Sequence, residues 1–153
     1  MKHTTHTEDF IKELYTRMNI MTPQQLEFKV IAKQLNIYIF YWSDISQALF
    51  LKERSFIFLN ENLSKYQQWQ DFCHELCHIL LHTGHQGQMT PLFREYQENK
   101  ANNFMYHACI PSFMLDEIEA SNLTVEYVQH RFNVEYGFAF KRLEQYFSKK
   151  NSF

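Results

Sequence analysis

Apolar residues first recur at helical spacing in "QLEFKVIAKQLN", where Leu26, Val30, Ile31 and Leu35 fall among polar positions and predict a packing helix. "IYIFYW" is a β-branched and aromatic run of strand type. After a polar break, "ALFLKERSFIFLN" reads as two further short strands around the turn "KER", so a small antiparallel sheet is expected. Ser64 and Gln67 have the spacing of a capping box and Gly84 is a helix stop, which predicts one helix from about Lys65 to Thr83. Thr90 and Pro91 have the character of an N-cap and a first-turn residue, opening a helix that Pro111 ends. Shorter helices follow around "SFMLDEIEA", "TVEYVQHRF" and "GFAFKRLEQYF".

The long helix contains "DFCHELCHILLHTGH". At about 100° per residue, Trp69, Phe72, Cys73, Leu76 and Leu80 form one core-facing stripe. His74 and His78 stack four residues apart on the other side, where two imidazoles can converge on one ion. This is the HExxH arrangement, and neutral imidazoles suit Zn²⁺, which takes three protein ligands in catalytic sites and leaves one position for water. Glu75 between them is the candidate general base, taking a proton from the attacking water and returning it to the leaving amine. A chance five-residue match is the rival explanation. It weighs less because the apolar stripe faces away from both histidines, as the motif requires. His82 and His85 share the polar side, but solvated or capping roles are commoner for such histidines, and both are left out of the ligand set.

Composition narrows the class. The chain has 153 residues, 45% of them hydrophobic and 17% aromatic, with three Gly and three Pro. That fits one globular domain over residues 1–153 with few obligatory turns, hence a helix-rich α+β fold. Residues 1–20 are expected to form a peripheral N-terminal helix, and residues 112–150 helices that close the core. A net charge of −2 without a basic run predicts no direct nucleic-acid binding. The polar opening "MKHTTHTEDF" lacks the apolar stretch of a signal peptide and no window reaches membrane-span length, so a cytoplasmic protein without membrane association is expected.

Three cysteines in a reducing compartment are expected to be free thiols. "CHELCH" also holds Cys-x₃-Cys-His, one residue longer than a c-type haem signal, and haem attachment would require export. A thiolate zinc site is disfavoured because Cys73 and Cys77 point about a quarter-turn or more from the histidine pair. Buried, inert thiols are the expectation for Cys77 and Cys109.

A third ligand is sought in "REYQENKANNF", which offers Glu95 and Glu98. Glu98 lies three residues before the small Ala101 and four before Asn102, a candidate partner that would orient it. Glu95 would equally suit a solvated helix start.

"SFIFLNENL", "FCHELCHILLH", "ENKANNFMYHACIP" and the tail "LTVEYVQHRFNVEYGFAFKRLEQY" together resemble the ImmA/IrrE-type zinc metallopeptidases, a gluzincin-like family. The likeness spans roughly residues 26–146. It implies a zincin-like domain with an HExxH active-site helix, zinc held by His74, His78 and Glu98, and Glu75 in the catalytic role. It further implies an endopeptidase that cleaves a helix-turn-helix repressor of a prophage, integrative element or stress regulon and so derepresses its genes. The chain departs from the pattern at Cys77, where glycine is common, and at His107 and Cys109, where apolar residues are usual. A residue polarising the scissile carbonyl would complete the mechanism, and Tyr96, Tyr106 and His107 are unranked candidates.

Two short helices in the tail also invite a DNA-binding reading, but Phe132, Val134, Phe138, Phe140 and Leu143 need burial and only Arg131, Lys141 and Arg142 are positive. Core closure is the expected role. Two other functions compete with the peptidase: an antirepressor that sequesters its repressor around a structural zinc, and a toxin–antitoxin component. The intact Glu75 favours catalysis, since a structural zinc site has no use for a base.

Overall fold

The computed structural model describes residues 4–81 and 90–151, and these divide into two compact units, Glu27–Met105 and Met1–Leu26 with Tyr106–Phe153. In the first of these, α2 (Phe28–Gln34) leads into β1 (Ile37–Trp42), β2 (Gln47–Leu51) and β3 (Arg54–Asn60). Then comes α3 (Lys65–Leu80), and α4 (Pro91–Cys109) begins in the same unit. The helix expected in "QLEFKVIAKQLN" is shorter than its apolar pattern. Ile31 and Ala32 are its buried residues, Leu26 is buried ahead of it, and Val30 is exposed.

The three strands lie where the pattern puts them, but the sheet is mixed rather than antiparallel. Its order is β1-β3-β2, with β3 parallel to β1 and antiparallel to β2. The polar break after β1 carries the chain past the position that β3 later fills. Side chains fix that crossing: the Trp42 indole N–H donates to the Ile45 carbonyl, the Asn60 amide to Ser46 Oγ, and Asn60 Nδ2 to the Asp44 carbonyl. Alternation of residue types specifies which face a residue takes, not which strand sits in the middle. The hairpin joining β2 to β3 turns through Lys52 (φ 50°) and Glu53 (φ 65°), both left-handed, which matches the twist of the flanking strands.

One sheet face buries Ile37, Ile57 and Leu59 completely or nearly so, and α3 packs on β2 and β3. Ser64 Oγ accepts from the Gln67 amide while the Gln67 side chain accepts from the Ser64 amide, so the predicted capping box starts α3. Trp69, Phe72, Cys73 and Leu76 form its buried stripe, and Leu80 is half-buried. The helix ends at Leu80, with Leu81 as its C-cap, three residues short of the expected Thr83. His82, Gly84 and His85 lie outside the described residues. Thr90 Oγ1 accepts from the Phe93 amide at the start of α4, as its sequence signals predict.

The second unit contains α1 (His6–Arg17), a 3₁₀ turn at Pro23–Gln25, the last turn of α4, α5 (Ser112–Leu115), α6 (Val125–Phe132) and α7 (Tyr136–Asn151). Its core gathers Ile11, Tyr15, Leu115, Val128, Phe132 and Val134. Tyr15 donates its hydroxyl to the Ala108 carbonyl at 2.7 Å. Phe140, expected inside, is 52% exposed, while Arg142, one of the tail's three positive charges, is 1% exposed. The buried guanidinium donates to the Ile110 carbonyl at 2.9 Å and to Ser112 Oγ at 2.7 Å. Burial lowers its pKa to about 10, still high enough to keep the charge at neutral pH.

Candidate metal centre

Because α3 buries its stripe against the sheet, its histidines are left on the side that meets α4. His74 Nε2 lies 2.9 Å from Glu98 Oε2, and His78 Nε2 lies 3.0 Å from Glu98 Oε1. The two imidazoles meet edge to face, with centroids 5.2 Å apart. All three side chains are partly or wholly withdrawn from solvent, at 17%, 10% and 37% exposure. Their ligand atoms lie within 4.8 Å of one another, the arrangement of a group able to hold a metal ion.

The donor set fits zinc in kind and in size. Two imidazole nitrogens and a carboxylate oxygen are a known catalytic zinc set. Bonds of about 2.0–2.2 Å in a tetrahedron imply donors roughly 3.3–3.5 Å apart, and the contacts of 2.9 and 3.0 Å need only a small expansion to admit the ion. His78 also has its pKa lowered, chiefly by burial, with Glu98 opposing and His74 adding to the shift. A neutral imidazole is the form that binds metal.

Glu75 follows His74 on α3 and is 9% exposed. Burial, reinforced by the negative charges of Glu98 and Asp71, pushes its carboxyl up to about 8, while a hydrogen bond from the Ala48 backbone amide pulls the other way. Its carboxylate therefore shares one electrostatic neighbourhood with Glu98 and is held from the β2 side. Cys77 is also in that field. Burial pushes its thiol up to about 12, against the attraction of Lys100. Cys73, Cys77 and Cys109 are all buried free thiols, as expected.

The remaining sequence candidates separate. Glu95 is exposed and stands outside the cluster that takes in Glu98. Asn102 is exposed one helical turn beyond Glu98, and Tyr96 is 60% exposed with its ring stacked on Phe93 at 6.4 Å. Tyr106 and His107 belong to the second unit, where Tyr106 stacks on Phe138 at 4.3 Å under the Lys141 ammonium and His107 is buried. Sequence reasoning missed the Ala48 amide, because a backbone donor leaves no trace in residue type.

A helix-rich α+β fold with two histidines and a glutamate brought together by adjacent helices is the arrangement of an HExxH metallopeptidase family, and the chain belongs to Peptidase_M78. That family's model, the IrrE N-terminal-like domain, matches residues 32–144. The chain is 38% identical over 152 residues to the phage-like element PBSX protein XkdA of Bacillus subtilis (strain 168), covering 97% of this chain and 76% of that protein. It is 37% identical over 153 residues to the uncharacterized protein YqaB of the same organism, covering 97% of this chain and 89% of that one. A solved structure, a Mycobacterium tuberculosis transcriptional regulator, shares the fold with a TM-score of 0.62 at 13% identity. The match covers 90% of this chain and 46% of the regulator, so this chain spans about half that structure's length. Among the described residues, no helix is long and apolar enough to cross a membrane.

Proposed function

We propose that this chain is a zinc-dependent endopeptidase that cuts a helix-turn-helix repressor of a mobile element, working in the cytoplasm and derepressing the element's genes. The observation that carries the proposal is the convergence of His74, His78 and Glu98 directly beside the buried Glu75. The relative named for a phage-like element supports the mobile-element setting.

His74, His78 and Glu98 would hold the zinc, which supplies a Lewis acid for the scissile carbonyl and eases ionisation of the attacking water. Glu75 takes the proton from that water as its oxygen adds to the carbonyl carbon and the C=O bond opens, and delivers it to the amine nitrogen, which leaves as the C=O bond re-forms and the C–N bond breaks. Its burial excludes competing bulk water from the proton path. Strand β2 is an outer strand of the sheet, beside α3. A substrate segment paired there in extended form would gain affinity from the backbone and specificity from side-chain pockets. Since the Ala48 amide of β2 reaches Glu75, a peptide bound along this strand runs beside the base.

The test is co-expression with candidate helix-turn-helix repressors from the genome that carries this gene, following repressor length by mass spectrometry for wild type and Glu75→Gln. Cleavage at one bond by wild type alone is the expected result. An intact repressor with target genes released in both strains would replace the peptidase by a sequestering antirepressor.

A further inference from the structure

The sheet face opposite α3 is aromatic and open. By register, Tyr38, Phe40 and Trp42 of β1 stand on the same side as Phe56 and Phe58 of β3. Their rings stack in a zigzag, with centroids at 5.6 Å for Tyr38–Phe56, 6.1 Å for Phe40–Phe56, 5.5 Å for Phe40–Phe58 and 4.7 Å for Trp42–Phe58. Leu51 of β2 extends the surface. Tyr38, Phe40 and Leu51 are 50%, 47% and 52% exposed. An outward sheet face is ordinarily polar, and a contiguous apolar one marks an interaction surface.

The charges at its two ends identify an occupant. At one end the β2–β3 turn carries exposed Lys52, Glu53 and Arg54, a net positive group, with Arg54 on the aromatic side by register. At the other end, exposed Asp44 and Glu61 make an acidic group. A face that is apolar along its length, basic at one end and acidic at the other complements itself when a second copy is related by a two-fold axis that lies in the interface plane, perpendicular to the strands. We propose that a second copy of this chain docks there, sheet against sheet, with the basic end of each protomer over the acidic end of the other. The strand lengths and spacing give a footprint of roughly 20 by 14 Å, far below that of a permanent dimer, so the pairing is a weak, reversible one. Because α3 packs on the opposite face, pairing does not involve the metal-site residues.

The experiment is sedimentation of the full chain from about 1 to 300 µM, with circular dichroism of every variant. Wild type should move from the 18.6 kDa chain mass towards twice that value. Phe40→Lys should weaken association at least tenfold at unchanged helicity. Arg54→Glu and Glu61→Arg, both at exposed positions that leave the core intact, should each weaken it about three- to tenfold, and their combination should return it to within about threefold of wild type. Glu75→Gln should associate like wild type, which separates this result from that of the peptidase reading. A wild type that stays monomeric throughout overturns the proposal. So does a dimer indifferent to folded Phe40→Lys, or charge reversals that do not compensate.

Discussion

His74 on α3 and Glu98 on α4 meet at 2.9 Å although 24 positions separate them in the chain. That contact closes the candidate metal centre, because the HExxH helix alone supplies only two of its three ligand side chains.

Zinc binding is expected at one ion per chain. Replacing His74 and His78 together by Ala should abolish it. Glu98→Ala should weaken affinity by at least tenfold, and Glu95→Ala should leave it unchanged. Metal analysis after dialysis against a weak chelator measures all three, and retention of zinc by the double histidine variant would refute the ligand set.

Stability should separate the two sides of α3. Leu76 is fully buried, so Leu76→Ala should cost about 2–5 kcal/mol. Leu80 is half-buried and its truncation should cost less. Glu75→Gln relieves a carboxyl that burial and Glu98 hold at about 8, and should not destabilise the fold. Urea titrations give the order, and a larger loss at Leu80 than at Leu76 would mean that the helix is rotated.

Arg142→Met should destabilise the protein by about 2–4 kcal/mol, since it leaves the buried Ile110 carbonyl and Ser112 without their donor. Arg142→Lys should recover little, because an ammonium cannot reproduce the geometry of the guanidinium fork. Full recovery by lysine in chemical denaturation would reduce the residue's role to its charge.

Alkaline pH should weaken the fold through Tyr146. Burial raises its phenol above the ordinary range, and the hydrogen bond to Asp116 adds to the shift. With the folded pKa raised, the stabilisation is fully present below the unfolded value of about 10 and is lost as pH climbs above it. Wild type should therefore lose stability more steeply than Tyr146→Phe between about pH 10 and 12. Parallel slopes in denaturation curves across that range would exclude the phenol as the cause.

The site was more legible in the sequence than the sheet or the C-terminal helix. His74 and His78 follow from helical spacing, and Ser64 with Gln67 marks where that helix starts. Glu98 was separated from Glu95 only by likeness to a family, because spacing within one helix cannot tell which carboxylate meets a neighbouring helix. α7 shows the limit of reading by hydrophobicity. Its buried stripe runs through Phe138, Ala139, Arg142, Leu143 and Tyr146, which puts an arginine inside and turns Phe140 out. The carbonyl that makes Arg142 acceptable there belongs to Ile110, 32 positions away. Strand order was equally hidden, since the hydrogen bonds of Trp42, Ser46 and Asn60 that fix the crossing depend on tertiary position.

The order β1-β3-β2 also has a kinetic consequence. β2 and β3 meet across a two-residue turn, from Leu51 opposite Arg54 onward, and closing so short a loop costs little chain entropy. β1 must wait for that hairpin, because its parallel partner β3 is the last of the three strands to be made, and Ile37 finds Ser55 only across all of β2. The rate of folding should therefore respond to substitutions in the hairpin more than to those in β1, whose loss should show chiefly as faster unfolding.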